Sequence, residues 1–144
     1  LVYQRVSVLR PDGSPGPAEI RDDVVAFFWS PDGAKLSYVT LAETSGMLMW
    51  NVMDVETGEA QPLVDFVPSI DQLTVFQFFD QYAQSHTQWS PDGNSIVFSG
   101  RLAGNAVSAS TAQQAPDRII VMGIAPYFTV DTIGDGTLAF WSPR

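Results

Sequence analysis

The candidate binding chemistry of this chain is concentrated in one short stretch, where Asp80, Gln81 and Tyr82 are followed by the sole histidine, His86. A phenol ring can stack, an imidazole and a carboxamide can donate or accept hydrogen bonds, and a carboxylate can hold an amine or a cation. Beside Phe78 and Phe79, that set reads as a ligand site at a channel mouth. The same residues also make a satisfied hydrogen-bond network that anchors the segment, and this second reading is preferred. Arg101, at the start of a polar loop, is a further candidate for partner contact. Asp131 and Asp135, followed by Gly136, supply oxygens of the kind calcium accepts. Their spacing departs from Asp-x-Asp-x-Asp-Gly, so a turn is the preferred reading and no metal is expected.

Catalytic groupings are missing from the sequence. It has neither a Gly-x-Ser-x-Gly nucleophile elbow nor a Gly-x-x-x-x-Gly-Lys phosphate loop. One histidine and no cysteine exclude a histidine- or thiolate-based zinc site within one copy, along with disulfides and cysteine nucleophiles. No cofactor is expected. Sixteen acidic against 7 basic residues give a net charge of -9, and the basic residues are scattered, so a nucleic-acid partner would be repelled. The apolar runs 24–29 and 74–79 fall far short of the roughly 18 residues of a membrane span. With 45% hydrophobic residues the chain can fill a core. It begins at Leu1 rather than methionine, which leaves room for a signal peptide or an upstream region.

The elements that would carry these residues are announced by a repeat. Trp-Ser-Pro-Asp-Gly stands at 29–33 and again at 89–93, and Trp141, Ser142 and Pro143 begin a third copy. Each follows a short apolar run. Pro31 and Pro91 pre-set φ for a turn, Asp32 and Asp92 suit its second position, and Gly33 and Gly93 can take the left-handed conformation of a hairpin loop. Trp29 and Trp89 are expected to pack as plates between sheets. Strands are predicted at 24–29, 35–40, 47–55 and 60–66, then at 85–89, 95–99, 118–123 and 127–133.

The tryptophans recur at intervals of 60 and 52 residues, which fits four-stranded propeller blades with inserted loops. The all-β organisation predicted is therefore two blades and parts of two others. Residues 1–22 form outer strands of a preceding blade, 23–67 a blade, 68–84 an insertion, 85–135 a blade with a long loop at 101–117, and 136–144 the inner strand of a following blade. Leu73 to Tyr82 is too apolar to be idle, so the insertion must pack on something.

Apolar strand, Trp-Ser-Pro-Asp-Gly, β-rich strand, then a strand ending in Glu56-Thr57-Gly58-Glu59 resembles the TolB-like β-propeller repeats, also seen in propellers attached to prolyl-oligopeptidase-like enzymes. The third copy departs from the pattern by reading Trp-Ser-Pro-Arg. The resemblance implies a noncatalytic module that binds proteins, outside the cytoplasm of a bacterium. The partner would be another protein or the remaining propeller blades, and self-association of two copies would also complete a ring. An enzyme alternative is a propeller domain whose serine-peptidase domain lies outside this chain. Replacement of His86 separates the two readings of its cluster: stability lost with binding retained identifies the anchoring network, and the reverse identifies a ligand site.

Overall fold

The computed structural model describes residues 2–43, 46–103 and 115–142. Most of the loop expected at 101–117, and the last two residues of the third motif copy, lie outside them. The chain is all-β apart from its insertion. A hairpin of β1 (Val6–Leu9) and β2 (Pro15–Ile20) forms a two-stranded sheet. A seven-stranded antiparallel sheet follows in simple sequence order. It comprises β3 (Val24–Trp29), β4 (Lys35–Leu41), β5 (Leu48–Asp54), β6 (Ala60–Pro68), β7 (Ser95–Leu102), β8 (Arg118–Gly123) and β9 (Thr129–Asp135). Among the described residues no helix is long and apolar enough to cross a membrane.

Alternation along the central strands sends side chains into two cores. Trp50 and Val52 of β5 point into the larger one with Phe28, Phe66, Phe98, Ile120 and Met122. Met53 points the other way, joining Leu36, Tyr38 and Val24 beneath Ala18 and Ile20 of the hairpin. Both faces of β3, β4 and β5 are thus covered, which is why they read as continuous apolar runs rather than as clean alternation.

The two strand groups are not separate sheets. The end of β6 pairs with the end of β7 through Phe66↔Leu102, Val67↔Arg101 and Pro68↔Gly100. Gly100 makes that junction sterically feasible: a Cβ there would lie 2.2 Å from the Val67 carbonyl oxygen and 3.0 Å from Pro68 Cα. The strand expected at 85–89 is reduced to the bridges Trp89↔Ile96 and Thr87↔Trp141. Its first residues are held in a turn, with the Ser85 and His86 amides donating to the Tyr82 carbonyl.

Helices fill the insertion, α1 (Ile70–Gln77) and α2 (Phe79–Tyr82). Ser69 is the N-cap of α1, its hydroxyl accepting from the Gln72 amide at 3.0 Å. Gln72, Val75 and Phe76 fall on one face of α1 and are buried, as is Phe79 of α2. Phe76 meets Trp50 edge-on at 5.5 Å and Phe66 at 6.1 Å. Gln72 is as fully buried: its Oε1 accepts from the Ser99 amide at 3.0 Å and its Nε2 donates to Gln88 Oε1 at 3.2 Å.

Two substitutions test this arrangement by urea unfolding. Gly100→Ala is expected to cost roughly 1–3 kcal/mol, because the obstructing atoms are backbone and cannot swing away. Phe76→Ala is expected to cost about 3–5 kcal/mol if the insertion is part of the core, against well under 1 kcal/mol for a loosely attached loop.

Candidate functional site

The two complete motif copies fold into the same turn. In the first, Gly33 takes φ +72° and its amide donates to the Ser30 carbonyl at 2.9 Å. The Ser30 hydroxyl donates to Asp32 at 2.7 Å and accepts from the Lys35 amide, while Asp32 also accepts from the Ala34 amide at 3.0 Å. Ser90, Asp92, Gly93, Asn94 and Ser95 repeat every bond. The serine hydroxyls and one carboxylate oxygen of each aspartate are thus spent on the turn.

Their tryptophans diverge. Trp89 is buried and its indole Nε1 donates to the Phe28 carbonyl at 3.1 Å, pinning the second motif against the first strand of the large sheet. Trp29, expected to act as a similar plate, is 48% exposed. This corrects the equivalence drawn from sequence: the turns match, but among the described residues only the Trp89 indole lies on a strand, β3.

Exposed Trp29 lines a cleft of about 480 Å³ with Phe27, Phe79, Asp80, Gln88 and Trp89. Most of its walls are fixed by the core. Phe79 packs on Phe27 at 4.7 Å and on Phe28 at 6.1 Å, and Trp89 is held by its indole hydrogen bond. Asp80 is the sole charged residue of the lining and stands exposed at its edge. Backed by a packed core and bordered by one carboxylate, the cleft has the composition of a binding site: mostly apolar surface with few polar groups to orient an occupant.

The residues singled out from sequence are divided by the structure. Asp80 faces the cleft, whereas Tyr82 and His86 form a separate aromatic group with Phe140, their rings 4.7 and 4.5 Å from the imidazole. Gln81 is exposed on α2. The expected four-residue site is therefore two neighbouring places. Ser85 Oγ lies 2.7 Å from His86 Nδ1. A hydroxyl beside an imidazole resembles a nucleophile and its base, but the ring is flanked by Tyr82 and Phe140, and no carboxylate among the described residues bonds to it to complete a triad.

Arg101 is committed elsewhere. Its guanidinium lies 2.9 Å from Asp117 in a partly buried ion pair, which ties the end of β7 to the chain entering β8. Asp131 and Asp135 do not converge either. Four residues along β9 separate their Cα atoms by roughly 13 Å, and Asp135 is paired with Arg118 at 2.6 Å. A shared calcium does not fit that geometry.

Sequence reasoning missed Phe27, Trp29 and Trp89 as site residues, because aromatics preceding a turn read as core. The signal that could have exposed them is the repeat itself, since one tryptophan of each pair needs a neighbouring strand to cover it.

Among solved structures, the fold is similar to the crystal structure of TolB from Acinetobacter baumannii, with a TM-score of 0.52 and 18% sequence identity. The likeness covers 92% of this chain and 27% of that one, so the chain spans about a quarter of that protein. No family model matches the sequence, and no curated protein does. The shared feature is the propeller-type fold.

Hydrogen bonding in the turns has a pH consequence. Asp32 is held below the usual carboxylate range chiefly by the Ala34 amide and then by the Ser30 hydroxyl; Asp92 is held there chiefly by the Ser90 hydroxyl and then by the Asn94 amide. A carboxylate whose folded pKa is depressed stabilises the fold above its unfolded value, near 4, and that contribution is lost as pH falls through the folded value. The melting temperature is expected to fall as pH is lowered from about 5 to 2. An Asp32→Asn, Asp92→Asn double variant should start lower and decline less; an equally steep decline would remove these turns from the explanation.

Proposed function

We propose that this chain is a noncatalytic binding module of propeller type, and that a protein partner inserts a side chain into the cleft between Trp29 and Asp80. The observation that carries this reading is the preformed aromatic cleft, with an indole that is exposed although its repeat equivalent is buried. Aromatic residues concentrate binding energy when a partner covers them. Walls fixed by the core reduce the ordering cost of binding. The TolB likeness supports a propeller scaffold, and the reading carries with it an extracytoplasmic location in a bacterium. Self-association is a narrower form of the same proposal, with a second copy as the partner.

The test is selection of a displayed random heptapeptide library on the immobilised chain. Peptides should be enriched whose affinity falls at least tenfold on Trp29→Ser, a change at a half-exposed position that leaves the melting temperature within a few degrees. Failure to enrich any peptide, or enrichment indifferent to Trp29→Ser, would contradict the proposal.

A further inference from the structure

The lining of the cleft also specifies the chemistry of its occupant. Four of its aromatic lining residues are Phe27, Trp29, Phe79 and Trp89, and Trp29, nearly half exposed, has the aromatic side chain that attracts cations best. Asp80 adds a formal negative charge at the rim, and it makes no hydrogen bond or ion pair with any described residue. No lysine, arginine or histidine lines the cleft to neutralise it. The net charge of -9 sets the same sign over the chain as a whole.

Several other carboxylates are engaged, and those that are exposed and unbonded as Asp80 is, among them Asp23, Glu59 and Asp131, do not line this cleft. Glu19 is bonded to Arg5 and Arg21, Asp135 to Arg118, and Asp12, Asp32, Asp54 and Asp92 cap their own turns. Asp80 thus combines a free carboxylate with an adjacent apolar cavity. An apolar occupant without charge would leave that carboxylate partly desolvated and unpaired, and an anionic one would be repelled by it. A long side chain with an aliphatic stem and a cationic head satisfies both surfaces, the stem against Phe27 and Phe79 and the head beside Asp80 and the Trp29 ring.

We infer that the cleft between Trp29 and Asp80 recognises a lysine or arginine side chain presented by the partner protein. This inference rests on the cleft being the binding site, and its test is built to fail separately. The heptapeptide library is selected in parallel on the wild-type chain and on Asp80→Asn. A strongly binding wild-type peptide is then synthesised with its basic residue intact and with that residue replaced by a neutral isostere, citrulline for arginine or norleucine for lysine. Affinities are read by titration of tryptophan fluorescence at low and high salt.

Wild-type peptides should be enriched in lysine or arginine. The neutral replacement should weaken binding about tenfold, as expected for a charge pair reinforced by an aromatic face. Asp80→Asn should abolish that difference, and added salt should reduce it. Recovered peptides without basic residues, or equal affinities for charged and neutral versions, would overturn the inference while leaving the cleft as a binding site. Recovery of no peptide at all would overturn both. Matched melting curves for wild type and Asp80→Asn establish that any loss is not unfolding.

Discussion

A carboxamide taken completely out of water must find partners for its polar ends or destabilise the fold by a few kcal/mol. Gln72 is fully buried, and its side chain meets that requirement by reaching two other parts of the chain at once. Its backbone amide donates to the Ser69 hydroxyl, its side-chain oxygen accepts from the Ser99 amide in β7, and its side-chain nitrogen donates to Gln88. Around it, Ser69 Oγ also donates to the Thr137 carbonyl, Ser99 Oγ to the Gly136 carbonyl at 2.7 Å, and Thr137 Oγ1 to Asp71 at 2.7 Å. Helix α1 therefore has one position relative to both strand groups. Phe76, one turn further on, fills the space among Trp50, Phe66 and Phe28 that this position leaves.

The position of α1 determines that of α2, and α2 supplies one wall of the cleft. Phe79 reaches back to Phe27 and Phe28, which leaves Asp80 beside the open space rather than within the core. A short polar network between helix and sheet thus sets the separation between an exposed indole and an unpaired carboxylate some fifty residues apart in sequence. The cleft is a by-product of core packing, so its walls are set by the fold itself.

Repeat turns and strand order were legible because their signals are local. Proline, aspartate and glycine at fixed offsets dictate a turn irrespective of surroundings, and β-branched and aromatic runs on either side dictate its strands. The helices were not read from the apolar content of 73–82, although Ser69 followed three residues later by Gln72 is a capping pattern at the helix start. Joining of the two strand groups at Pro68↔Gly100 depends on a close backbone approach that no periodicity reports. Asp80, Gln81, Tyr82 and His86, read together from sequence, are divided by the structure, since Asp80 lines the cleft while Tyr82 packs on His86. Trp29 was misread because its sequence context matches that of Trp89, and burial is settled by what lies opposite.

Native-state hydrogen exchange tests most directly whether the insertion and the two strand groups form one cooperative unit. The amides of Leu73 in α1, Val52 in β5 and Ser99 in β7 are the relevant probes, each lying in a different part of the proposed joint. The account predicts that they exchange with a common opening free energy equal to that of global unfolding. Exchange of Leu73 at a much lower free energy, with Val52 and Ser99 still protected, would show that the helix is an appendage and would contradict the claim that it fixes the cleft.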